Sequence, residues 1–145
     1  MTLPARWWWS IDPGARQCYC VRWRGTELDL AVVTDRPLSV LSDTLMVCEQ
    51  MQVRPGGAYA ADLIAVTLMA GRVTANGTYL PVAPETWKGQ VPKAVHQRTR
   101  ILPRLSEAEL TKLQAECPKK SEMHNLVDAA GIGLWYIDTN GGVRG

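Results

Sequence analysis

Paired C-x-x-C spacing, long apolar runs, a large charge imbalance and tandem repeats are all missing from this sequence, and each lack removes a class of protein. The four cysteines, Cys18, Cys20, Cys48 and Cys117, are spaced too irregularly for a zinc site. A chain of 145 residues does not need disulfides to fold, so they are expected as reduced core thiols. No stretch approaches the roughly 20 apolar residues that span a bilayer, because Asp62 interrupts the best candidate and Gly71-Arg72 closes it. Trp7-Trp8-Trp9 lacks the charged start, apolar stretch and small-residue cleavage site of a secretory leader. The expectation is a cytoplasmic protein with no membrane contact. A net charge of +2 is too small to argue a polyanionic partner, since nucleic-acid binding depends on where basic groups cluster.

What is present suits one folded domain over residues 1–145. The chain is 46% hydrophobic, enough for a real core, and its scattered Gly and Pro suggest neither disorder nor a fibre. Only Thr139 to Gly145 reads as a loose tail.

Trp7 to Asp12 reads as a buried strand stopped by Asp12-Pro13-Gly14. Gln17–Arg24 and Glu27–Thr34 follow as strands, joined by a Gly25-Thr26 hairpin link. Leu45 to Glu49 is a short apolar strand ending in an acid. Leu63, Val66, Ala70 and Val73 recur at helical spacing within a helix from Tyr59 to about Thr74, and Thr78–Val82 suits a last strand. Ser106 and Glu109 form a capping-box pattern for a helix over Glu107–Glu116 that stops before Pro118. A final helix is expected from about Ser121 to Tyr136. An antiparallel opening meander followed by a crossover implies an α/β protein with a mixed sheet flanked by helices.

Three acids interrupt apolar segments: Asp12 after Trp-Ser-Ile, Glu49 after Met-Val-Cys, and Asp128 before Ala129-Ala130. A buried carboxylate requires a cation, strong hydrogen bonds or protonation. A hard divalent ion such as Mg²⁺ or Mn²⁺ would satisfy several at once, and two such ions roughly 4 Å apart can hydrolyse a phosphodiester. Spacing alone leaves open that these are ordinary solvated acids at strand and helix ends.

Trp9-Ser10-Ile11-Asp12-Pro13-Gly14 resembles the first-strand signature of RuvC-type Holliday junction resolvases, in which the Asp is a metal ligand. Val47-Cys48-Glu49 resembles their acid-ending fourth strand, and the stretch from Ala60-Ala61-Asp62 to Ala70-Gly71-Arg72 the long helix that follows. Asp128-Ala129-Ala130-Gly131-Ile132-Gly133 is similar to the motif that returns an Asp to the site. The ordered combination, rather than any single piece, carries the resemblance. It implies a ribonuclease-H-like sheet and a metal-dependent, structure-selective endodeoxyribonuclease that works as a homodimer on four-way DNA. Two Mg²⁺ or Mn²⁺ ions per site, no small-molecule cofactor, 3′-hydroxyl and 5′-phosphate products and a bacterial or phage-infected cell follow from the same resemblance.

In that frame Asp12 bridges the ions, while Glu49 and Asp128 each hold one. The family usually has Asp or His three residues before the last Asp, where this chain has Asn125. His124, four residues before Asp128, lies on the same helical face. His124 completes the second metal site, assists proton transfer or merely caps or packs the first helical turn, and Asn125 is a further candidate ligand through its neutral amide oxygen.

Lys88, Lys93, Arg98, Arg100 and Arg104, with His96, form a basic stretch opposed only by Glu85. Pro84, Trp87 and Pro92 suggest an ordered loop. Such groups neutralise phosphates, and Trp87-Lys88-Gly89 with Pro92-Lys93 resembles a segment of phage-type relatives. Lys88, Lys93, Arg98 and Arg100 are the candidate DNA contacts, with Lys93 nearest the scissile phosphate; a solvated basic face is the plain alternative.

Other expectations are weaker in content. Trp7 and Trp8 pack on outer helices, join a dimer contact or stack on bases. Met46, Met51 and Met69 fill core gaps, Asp62 faces solvent, caps a neighbouring loop or supports the site near Gly56-Gly57, and Gly131 and Gly133 mark close helix packing, within the chain or across a dimer. An RNA–DNA hybrid or flap nuclease and a non-cleaving branched-DNA-binding protein are the alternative functions.

Overall fold

Alternating side chains along each strand enter two differently covered cores. The computed structural model describes residues 6–51, 60–117 and 119–144. The expected helix start at Tyr59, the Gly56-Gly57 neighbourhood of Asp62 and the stop at Pro118 lie outside them. β1 (Trp7–Pro13), β2 (Cys18–Arg24) and β3 (Glu27–Thr34) form an antiparallel meander. β4 (Leu45–Glu49) pairs parallel with β1, and after α1 (Ala60–Val73) β5 (Thr78–Val82) pairs parallel with β4. The result is a five-stranded mixed sheet in the order β3-β2-β1-β4-β5.

Past β5 the chain is helical. α2 (Pro84–Lys88) and α3 (Lys93–His96) lead into a π-helical turn over Gln97–Ile101 and a 3-10 turn over Leu102–Arg104. α4 (Glu107–Glu116), a 3-10 turn over Lys120–Glu122 and α5 (Met123–Thr139) complete it. Both halves of the Ser106–Glu109 capping box are present.

Trp8, Tyr19, Val21, Trp23 and Val47 project into one core with Leu113 of α4 and the apolar face of α5. Trp9, Ile11, Cys18, Cys20, Met46 and Cys48 project into the other, where Ala70 and Val73 of α1 cover them. Trp8 stacks on Trp23 with ring centroids 5.6 Å apart and meets Tyr136 of α5 at 5.1 Å. Cys18, Cys20 and Cys48 are free and buried, and burial pushes the Cys18 thiol up to about 12.

The glycines of α5 serve packing inside the chain. A Cβ on Gly133 would collide with the Trp23 ring, and one on Gly131 would stand 2.9 Å from the Trp87 ring and against Ile101. Those approaches account for both glycines within this chain.

Five expectations are corrected. The basic stretch after Pro84 is a chain of short helices rather than a loop; Pro84 stands in the first turn of α2, where its missing N–H is no loss. Arg104 is bound bidentately by Asp138 at 2.7 Å, and His96 is buried, so neither extends the basic face freely. Met51 is 51% exposed rather than a core filler, and Cys117 sits half-buried at the rim.

The fifth concerns the tail, which is anchored through Arg144. Its guanidinium donates to both Glu109 carboxylate oxygens and, at 2.7 Å, to the Thr26 and Arg104 carbonyls. Glu109 also accepts the Leu28 and Ser106 main-chain N–H groups at 2.7 and 2.8 Å. Burial alone would raise this carboxyl, but Arg144 and the two N–H groups hold it at about 2. A depressed folded pKa stabilises above the unfolded value and loses that contribution as pH falls through the folded one. Arg144→Ala, which leaves Glu109 with only its two main-chain donors, is expected to lower stability at pH 7 by roughly 1–3 kcal/mol. In chemical denaturation the gap between wild type and variant narrows as the pH falls from 4.5 towards about 2.

Candidate functional site

The parallel pairing of β1 with β4 sets two of the acids side by side. Ile11 pairs with Cys48, so Asp12 and Glu49 each follow one residue later, at the carboxyl ends of adjacent strands. Both share strand parity with the residues that face α5: Trp8 and Ser10 precede Asp12, and Leu45 and Val47 precede Glu49.

Asp128 arrives from α5, which one hydroxyl holds against β1. Ser10 Oγ donates to the Ala129 carbonyl at 2.6 Å and accepts the Trp23 indole N–H at 2.8 Å, all buried. Asp128 is 4% exposed and Asp12 9%, whereas Glu49 is half-buried.

Each peripheral acid has a fixed partner. The Trp87 indole donates to Glu49 Oε2 at 2.6 Å. The Gln97 amide donates to Asp128 Oδ1 at 2.8 Å and to the His124 carbonyl at 2.9 Å. Lys93 Nζ lies 3.1 Å from Asp128 Oδ2. Gln97 begins the π turn, a distortion often found at functional sites.

The acids feel one another's charge. Asp12 is held well above the usual carboxylate range, first by burial and then by Glu49 and Asp128, with Lys93 and Lys88 opposing. Burial also raises Glu49; the Trp87 hydrogen bond and Lys88 pull it back, and Asp128 pushes it up. Acids perturbed together by burial and like charge mark functional sites. Among the described residues, no group of three or more His, Cys, Asp or Glu is arranged to hold a metal ion.

The remaining expected site residues are more dispersed. The His124 side chain is exposed, and the helix brings its main-chain carbonyl, through Gln97, to the site. Asn125 is half-buried one residue on. Lys88 lies with its Nζ 5.5 Å from the Trp87 ring centroid. Arg98 and Arg100 are exposed on the π turn, where the Arg100 charge, after burial, lowers the neighbouring His96. Asp62 is exposed.

Ser10, Gln97 and the Trp87–Glu49 bond were not anticipated. Two signals were available: Ser10 is a small polar residue on the inward parity of β1, and Gln97 follows Lys93 by one helical turn. No family model and no curated protein matches the chain.

Asp12 carries a testable sign. A carboxyl with a raised folded pKa stabilises below its unfolded value and costs stability as pH rises through the folded one. Asp12→Asn in chelator is expected to melt a few degrees above wild type at pH 8, with the gap closing towards pH 4. Paired thermal melts across that range check it, and a variant less stable than wild type at pH 8 would contradict it.

Proposed function

We propose that this chain is a ribonuclease-H-like, structure-selective endodeoxyribonuclease that cuts four-way or otherwise branched DNA. The observation that carries the reading is the placing of Asp12 and Glu49 at the carboxyl ends of adjacent parallel strands, within electrostatic range of Asp128, with the Lys93 ammonium against Asp128. The strand order β3-β2-β1-β4-β5, with its antiparallel opening, supports the same fold.

The donor chemistry suits a hard divalent cation, although the acids as placed here are not drawn together as a ready cluster of three. Three carboxylates supply oxygen ligands, and a cation would offset both the burial that chiefly raises Asp12 and the Glu49 and Asp128 charges that add to it. Asp12, Glu49 and Asp128 would hold Mg²⁺ or Mn²⁺, with Asn125 or His124 as a further ligand. Bound there, such ions activate water and stabilise charge on the phosphodiester oxygens.

The protein's own groups prepare that site. Trp87 fixes one oxygen of Glu49 and Gln97 one oxygen of Asp128, which limits how each carboxylate rotates. Lys93 offsets charge at Asp128 and can stabilise charge developing on a phosphate beside it. Lys88, Arg98 and Arg100 extend a positive track for the backbone. A junction presents two strands to cut, so the reading implies a homodimer. A non-cleaving branched-DNA-binding protein is the second reading, favoured because Lys93 and Gln97 engage both oxygens of Asp128.

Cleavage of labelled four-way junction, flap, linear duplex and RNA–DNA hybrid, in Mg²⁺, Mn²⁺ or chelator, separates these readings. Metal-dependent cutting confined to branched DNA is expected, abolished by Asp12→Asn and reduced on the order of 10²–10³-fold by Lys93→Ala. Tight junction binding without cutting in either metal selects the non-cleaving protein, and preference for the hybrid selects a hybrid nuclease.

A further inference from the structure

The tryptophan run builds a second feature at the far end of β1. Trp7 and Trp9 lie on the sheet face opposite Asp12, and Arg24 and Arg22 are their partners on β2. The Arg22 guanidinium stands 4.3 Å from the Trp7 ring centroid and 6.0 Å from that of Trp9, and Arg24 stands 5.7 Å from Trp7. Asp29 holds Arg22 through bonds of 2.6 and 2.9 Å. Trp7 nevertheless remains 41% exposed.

Of these, Trp7, Trp9 and Arg22 border a cavity of about 600 Å³ that Arg6, Val40, Leu41 and Asp43 help to line. Its volume is that of a small-ligand site, apolar with a few polar groups. Trp9, which also lines it, is 5% exposed, and its indole N–H is among the buried polar groups with no hydrogen-bond partner. A buried donor left unpaired is costly and is relieved by an acceptor.

We propose that this cavity binds an unpaired base of single-stranded DNA, stacked on Trp7 with its phosphate on Arg24 or Arg6. A fixed aromatic ring beside guanidinium groups is the chemistry that binds single strands without reading sequence. Because Asp29 and Arg22 already hold the ring, little side-chain freedom is lost on stacking. At about 3.3 Å per residue along β1, the platform lies about 17 Å from Asp12. An unpaired strand near a branch point would thus be gripped away from the acids. The inference deepens the nuclease reading in naming the DNA feature held, but it does not require that the protein cut.

Fluorescence anisotropy with a labelled oligothymidylate and an abasic oligomer of equal phosphate count tests it, using the full chain in chelator. Wild type is expected to bind the oligothymidylate more tightly. Trp7→Ala should weaken it roughly five- to hundredfold and remove the difference, with Trp7→Phe recovering most of it. Equal binding of the two oligomers by wild type, or an unchanged affinity in a folded Trp7→Ala, overturns the proposal. Either failure leaves metal-dependent cleavage standing; base-dependent binding lost in Trp7→Ala, in a protein that cuts nothing, upholds the platform and removes the nuclease reading.

Discussion

Ser10 joins three elements through one buried hydroxyl, donating to the Ala129 carbonyl of α5 and accepting the Trp23 indole of β2. Ala129 adjoins Asp128, and Ser10 stands two residues before Asp12 on the same face of β1. The contact therefore helps to hold α5, and Asp128 with it, against the strand that carries Asp12, and the lack of a side chain at Gly133 allows Trp23 close enough to join it. Pairing of Ile11 with Cys48 does the equivalent for Glu49. Two acids are delivered by parallel strands and the third by a helix pinned to one of them.

The arrangement works against stability locally. Burying like charges raises Asp12, and the nearby opposing charges are those of Lys93 and Lys88, both from the helical segment after β5. That segment also supplies Trp87 and Gln97, the neutral groups that fix Glu49 and Asp128. A stretch of short helices thus serves the acids twice, by charge and by orientation. Compensation elsewhere comes from stacked tryptophans under α5 and from the Arg144–Glu109 pair that ties the end of the chain to α4.

The strands were legible because alternation and turn residues are local signals, and the α4 boundary because a capping box is written in four adjacent residues. The helices from Pro84 to Arg104 were not, since segments of three to five residues are too short for periodicity and a proline in a first turn resembles a break. The three acids were legible as interruptions of apolar segments. Their supports were not: Trp87 lies 38 residues from Glu49 and Gln97 31 from Asp128, and nothing local encodes such pairs. Arg144 read as tail for the same reason, with its partner 35 residues away.

The central proposal is that the three acids form one site for a divalent cation. Titration with Mn²⁺ followed by electron paramagnetic resonance tests it without reference to any substrate. The account predicts that wild type depletes the free Mn²⁺ signal, that Asp12→Asn and Glu49→Gln restore it, and that Trp7→Ala does not. Equal depletion by wild type and both acid variants, or none by wild type, would contradict it.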